Sequence, residues 1–264
     1  MKSFDGTAFF IIGGMIMISF LSPILEAQEP PTVFITGSNR GLGLEFSRQY
    51  AALDWKVIAT VRRPETAEDL KLLAANYPNV HIERLDVTDD NAIESLAVKL
   101  KGQPIDLLLN NAGILGDISG QYFGKLEHDE FMKIMSTNAL GPLMIAQFFL
   151  DNVKASKQKK IVAISSLAGS FGRERRGLPG TYFYKASKAA LNMLMRTLAQ
   201  DLRSDGVTVI LISPGTVDTG KIGIKSPRLV DIEVSIAGII KVIDQATIED
   251  SGTFISYDGE VQSW

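Results

Sequence analysis

The chain contains no cysteine, which excludes a disulfide, a thiolate nucleophile and any Cys-based metal site. Histidine is nearly absent too: His81 and His128 stand far apart with nothing near them at ligand spacing, so both read as structural. There is no excess of positive charge. The 27 Lys and Arg against 30 Asp and Glu give a net charge of −3, which argues against a general nucleic-acid binder while leaving room for a local basic pocket. What is present is the composition of one ordinary globular domain: 264 residues, 45% hydrophobic and 22% charged, enough to bury a sizeable core.

Charge is also missing between Gly6 and Leu25, where FFIIGGMIMISFL is apolar enough for a membrane helix but is interrupted by Gly13, Gly14 and Pro23. Residues 1–27 therefore form a hydrophobic leader with three readings left open. It is a membrane anchor, a signal peptide, or a dispensable extension with Met15 or Met17 as the true start. Residues 28–32 (QEPPT) read as a linker, and residues 33–264 as the single folded domain.

From Val33 onward short β-rich runs alternate with helical patterns, which predicts parallel strands joined by crossover helices. Strands are expected at Val33–Thr36, Lys56–Thr60, Val80–Arg84, Ile105–Leu109, Lys160–Ser165, Val207–Ile212 and Thr253–Tyr257. Helices are expected at Gly41–Ala52, Thr66–Asn76, Asp90–Leu100, Asp129–Asn152, Thr181–Ser204 and Val230–Asp244. Seven strands in this alternation give an α/β fold, a Rossmann-type doubly wound parallel sheet that binds ligands beyond the carboxyl ends of its strands.

The strand ends carry the chemistry. Gly37, Ser38, Asn39, Arg40, Gly41, Leu42 and Gly43 follow the first strand and open a helix, where glycines let backbone amides approach a pyrophosphate. The second strand ends in Arg62-Arg63, with no acidic residue between Asp54 and Glu65. Arg40 and Arg62 together suit a 2′-phosphate, so NADP(H) is expected over NAD(H). Asp86 and Val87 end the third strand, where the carboxylate suits an adenine amino group or, alternatively, caps the next helix. Asn111, Ala112 and Gly113 end the fourth, Ser165-Ser166 the fifth, and Pro214 and Gly215 the sixth, followed by Val217 and Thr219.

Tyr184 and Lys188 stand four apart in a predicted helix and so share a face. Bringing a phenol from a pKa of about 10 to about 7 takes roughly 4 kcal/mol, and a neighbouring cation supplies an interaction of that size. The pair therefore reads as a proton donor, with the lysine depressing the phenol. Tyr182 is excluded, because Ala186 and not a lysine stands four residues on.

Taken in order, TGSNRGLG (36–43), LDVT (85–88), NNAG (110–113), MSTNALG (135–141), ISSLAG (164–169), YFYKASKAAL (182–191) and SPGTVDT (213–219) resemble the short-chain dehydrogenase/reductase family, in particular its carbonyl-reductase-like members. The resemblance implies a catalytic tetrad of Asn138, Ser166, Tyr184 and Lys188. Tyr184 would be the acid/base, and Ser166 would orient the substrate oxygen. Lys188 would hold the nicotinamide ribose, and Asn138 would anchor a water. Val217 and Thr219 would bind the carboxamide. The substrate implied is a small carbonyl compound or alcohol; the alternative is a non-catalytic NADP-binding sensor or scaffold.

Ser166 and Tyr184 are 18 residues apart, longer than is common in the family, and Arg173, Arg175 and Arg176 in the extra length line a pocket mouth or are simply solvated. The segment after Pro214 looks like a short, open lid. Apolar faces in Ala139–Leu150 and Leu191–Leu198 either pair in a homodimer or cover the sheet. NADPH supply favours a cytoplasmic active site, with membrane association through residues 6–25, or export, resting on the leader.

Overall fold

Alternate residues of a strand face opposite sides of its sheet, and the strands here are apolar on both. Val33 and Ile35 face one side and Phe34 the other, each fully buried. Only a sheet covered by helices on both faces satisfies such strands. The computed structural model describes Met1 and residues 29–172, 180–218 and 229–264. In chain order its elements are β1 Thr32–Thr36, α1 Gly41–Ala52, β2 Lys56–Val61, α2 Glu68–Asn76, β3 Val80–Arg84, α3 Asp90–Lys99, β4 Leu107–Asn110, α4 His128–Met135, α5 Gly141–Phe148, α6 Leu150–Lys154, β5 Lys160–Ile164, α7 Tyr182–Asp201, β6 Thr208–Ser213, β7 Thr216–Val217, β8 Leu229–Val230, α8 Ile232–Gln245 and β9 Phe254–Ser256.

Seven strands form one parallel sheet in the order β3-β2-β1-β4-β5-β6-β9, the doubly wound arrangement expected. One core packs α3, α5 and α7 onto the face carrying Phe34, Leu108, Ile161 and Leu211, with Phe34 and Phe149 rings 4.6 Å apart. The other packs α1, α2 and α8 onto Val33, Ile35, Leu109, Val162 and Ile212. The strand order reverses between β1 and β4, and such a switch point opens a crevice at the carboxyl edge. The apolar faces of α5 and α7 mostly cover the sheet: Ile145, Ala146, Leu191 and Met195 are buried, while Leu140 and Met193 are exposed. Among the described residues no helix is long and apolar enough to cross a membrane.

The helix expected over Asp129–Asn152 is broken. Between α4 and α5 the turn Ser136–Leu140 is π-helical, with the Gly141 amide bonded to the Ser136 carbonyl. Pro142 has no N–H to give the carbonyl of Asn138, so the α-helical ladder cannot run through that point. Strand β4 also starts two residues later than expected, because the Ile105 amide bonds Asn152 O at 3.0 Å instead of entering the ladder.

Candidate active site

The crevice is built on Thr36, the last residue of β1. Its hydroxyl oxygen accepts from the amides of Asn111 and Ala112, each at 3.0 Å, and the Asn111 amide group donates to Thr36 O at 2.9 Å and Gly37 O at 3.2 Å. These bonds hold the turn after β1 against the turn after β4. The turn after β1 needs glycine at two places. Gly37 has φ +72°, and a Cβ there would lie 3.0 Å from the Ala112 Cα; a Cβ on Gly43 would strike Gly37 O and come within 2.6 Å of Asn111 Nδ2. Buried Ser38 closes the turn through its hydroxyl to Ile35 O at 3.1 Å and its amide to Thr60 O at 2.9 Å. Asn39, Arg40, Gly41 and Leu42 then lead into α1, whose first amides open onto the crevice.

Arg40 and Arg62 both lie exposed on the crevice side of the sheet, one at the start of α1 and one at the end of β2. Beside Arg62 is a cavity of about 470 Å³ lined in part by Arg62, Arg63, Arg84, Asp86 and Lys99. Asp86 does not cap α3. Its carboxylate accepts from the amide of Thr88 at 3.0 Å and its hydroxyl at 2.8 Å, and the cap is Asp89, which accepts from the Ala92 amide at 3.1 Å. Val87 is buried beneath it.

The four residues of the expected tetrad come from the π-helical turn Ser136–Leu140, the end of β5 and α7. Asn138, turned inward by the π-helical turn and fully buried, accepts from Ile114 N and donates to Ile114 O, both at 2.8 Å. It also donates to Ser187 Oγ at 3.0 Å, and Ser187 donates to Tyr184 O at 2.7 Å. A Cβ on Gly113 would sit in ordinary contact between them, 3.4 Å from Asn138 Oδ1 and 3.7 Å from Lys188 Nζ, which places both side chains beside the turn after β4. Ser166 accepts from Ala168 N at 3.1 Å and is hydrogen-bonded to the Tyr184 hydroxyl. Its neighbour Ser165 is occupied elsewhere, donating to Asn192 Oδ1 at 2.5 Å.

The electrostatics depart from expectation. Burial pushes the Tyr184 phenol up, and the bond to Ser166 pulls it partly back; Lys188 is not among the causes. Burial also lowers the Lys188 ammonium, to about 8, and its bonded partner is Ile164 O at 2.8 Å. One donor of the lysine is therefore held by backbone. The phenol is protonated at neutral pH as it stands.

Beyond β6, Pro214 O accepts from Ser235 Oγ at 2.7 Å, and Gly215, at φ +76°, packs under the Tyr257 ring. Val217 is buried and pairs with Val230, so β7 and β8 tie together the two ends of residues 218–228. Thr219, most of the short lid, the arginines 173, 175 and 176, and the leader at 6–25 lie outside the described residues. Sequence reasoning missed Gln121, a buried residue in the stretch between β4 and α4. Its Oε1 accepts from Tyr184 N at 3.0 Å, and its Nε2 donates to Leu115 O at 2.8 Å and Asp117 O at 3.2 Å. It also missed the C-terminus. Trp264 packs on Phe254 with centroids 5.9 Å apart and beneath the Arg196 guanidinium at 4.9 Å, and its carbonyl accepts from Gly172 N at 2.7 Å. No residue pattern signals Gln121; the C-terminal SYDGEVQSW resembles the carbonyl-reductase-like members, but that likeness does not show where Trp264 packs.

A model of the short chain dehydrogenases matches residues 31–226. An uncharacterized oxidoreductase of Schizosaccharomyces pombe is 34% identical over 85% of this chain and 94% of its own length. The NADPH-bound carbonyl reductase from chicken fatty liver superposes with a TM-score of 0.83 at 33% identity, covering 90% of this chain and 100% of that one. The Drosophila melanogaster carbonyl reductase Sniffer gives 0.81 at 29% identity, over 89% and 100%.

Proposed function

The chain belongs to the short chain dehydrogenase family, and on that premise we propose that this oxidoreductase is an NADP(H)-dependent enzyme interconverting a carbonyl and an alcohol, with Tyr184 as acid/base. The observation that carries the reading is the convergence of Asn138, Ser166, Tyr184 and Lys188 opposite the glycine turns, with the Tyr184 hydroxyl bonded to Ser166. NADP-bound relatives add support.

The residues present fit the dinucleotide. Side chains are excluded at Gly37 and Gly43, where backbone must approach a ligand closely. The amides at the start of α1 would hold the pyrophosphate, Arg40 and Arg62 the 2′-phosphate, and Asp86 and Val87 the adenine. Asn111, Ala112, Gly113, Tyr184 and Lys188 would border the nicotinamide ribose, and Pro214, Gly215, Val217 and Thr219 the carboxamide. Bound NADPH supplies the hydride.

The chain's own part is proton transfer and orientation. Ser166 holds the substrate oxygen within reach of Tyr184, whose burial keeps the phenol protonated until that oxygen gains charge. Lys188, with its value near 8, exchanges protons readily near neutral pH. Alcohol oxidation needs the phenolate, so a raised phenol favours reduction at neutral pH and moves oxidation to alkaline pH. A reductase fed by NADPH belongs with a cytoplasmic active site, and protease accessibility of the tagged full-length chain tests that placement. A homodimer would use exposed Leu140 and Met193, and light scattering measures it.

The test of function is NADPH oxidation by the purified chain against a panel of aldehydes, ketones and quinones. Turnover of at least one carbonyl supports the reading. NADPH binding without any turnover assigns the chain to the non-catalytic sensor class instead.

A further inference from the structure

Tyr184 is gripped by its backbone at both ends. Its N–H is among those the first turn of α7 cannot satisfy from within the helix, and the acceptor is Gln121 Oε1, 63 residues away in sequence. Its C=O accepts from Ser187, which in turn accepts from Asn138. Both outside partners, Gln121 and Asn138, reach the same short loop. Asn138 bonds both backbone groups of Ile114, and Gln121 donates to the carbonyls of Leu115 and Asp117. A third side chain, Glu130, accepts from Asp117 N at 2.6 Å and fixes the far end of that loop to α4.

We propose that Gln121 is a positioning residue for the proton donor: one fully buried amide that locks Tyr184 in register with the loop 113–117. Only an amide serves. The position must accept from an N–H and donate to two carbonyls at once, which a carboxylate or hydroxyl cannot do from this length of side chain. Buried polar groups of this kind are costly when half satisfied, so their geometry is sharply defined. A shift of about 1 Å at a reacting group costs on the order of 100-fold in rate. The link therefore acts on kcat and leaves binding largely alone.

The inference rests on the reductase reading, and the experiment separates the two. Gln121→Met keeps the volume and removes both links; Gln121→Glu keeps the acceptor for Tyr184 N–H but sets a carboxylate against the two carbonyls. With the carbonyl that the parent chain reduces fastest, Gln121→Met is expected to lose roughly 10- to 100-fold in kcat. NADPH affinity and the KM for the carbonyl should change by less than about threefold. The alkaline limb of its kcat profile should move to lower pH, because a phenol released toward water loses the burial that raises it. Gln121→Glu should recover part of kcat.

Hydrogen exchange on the same proteins supplies a readout independent of turnover. In Gln121→Met the peptides covering 113–121 and 182–188 should both exchange faster. The proposal is overturned if kcat and the alkaline limb stay within about twofold of the parent while only the melting temperature falls, or if exchange quickens in 113–121 alone. Should the parent chain turn over no carbonyl, the reductase reading fails, and the exchange result alone decides the Gln121 link.

Discussion

The ammonium of Lys188 donates to the carbonyl oxygen of Ile164 at 2.8 Å, so the cation of the expected acid pair is anchored at the carboxyl end of β5. Its charge is buried, and burial lowers it from 10.5 to about 8. Below about 8 the folded and unfolded lysines are both protonated, and the cost of burying the charge is fully present. Between about 8 and 10.5 the unfolded lysine holds a proton that the folded one lacks, so stability rises with pH in that window.

Lys188→Met should therefore abolish activity while stabilising the fold. Burying a charge costs about 1.4 kcal/mol per pKa unit and the lost bond to Ile164 returns about 1, leaving a gain of about 2 kcal/mol at pH 7. Urea unfolding from pH 7 to 10.5 checks it: the parent gains stability across the upper part of that range, and the variant does not.

Arg40 and Arg62 should set cofactor choice. A charge-assisted hydrogen bond is worth about 1.5–3 kcal/mol, so Arg40→Ala and Arg62→Ala are each expected to weaken NADPH binding roughly 10- to 100-fold and leave NADH binding nearly unchanged. Fluorescence titration with both nucleotides measures the difference.

Gly43→Ala should damage the crevice from within. The added methyl meets Gly37 O and Asn111 Nδ2, neither of which is the free end of a flexible side chain. Overpacking of this kind costs about 1–3 kcal/mol. Denaturant unfolding should show that loss, together with weaker NADPH binding.

The C-terminal residue should matter more than its position suggests. Trp264→Ala removes the contacts with Phe254 and Arg196 that pin the C-terminal segment after β9 over α7, and a loss of about 2 kcal/mol is expected from the buried ring area. Thermal melting of the variant beside an Arg196→Met control checks whether the stacked guanidinium contributes.

Most of this architecture is legible in sequence because strand, turn and helix alternate with local signals. The glycine turn after β1 and the shared helix of Tyr184 and Lys188 each need only neighbours a few residues away. What sequence does not reveal depends on distance. Gln121 sits in a stretch without periodicity, and its role appears only when Tyr184, 63 residues on, is folded against it. The partner of Lys188 is a carbonyl 24 residues back, so helical spacing alone could not show that the phenol is raised by burial. The break at Asn138 was in principle readable, since Gly141-Pro142 cannot continue an α-helical ladder, but the apolar pattern across it is unbroken.

The central claim is that the Tyr184 hydroxyl gives its proton to the substrate oxygen. The most direct measurement is single-turnover reduction by Tyr184→Phe saturated with NADPH. We predict a rate lower by about 10²–10⁴, the usual worth of a positioned proton donor, with NADPH affinity unchanged; a rate within about tenfold of the parent chain would contradict it.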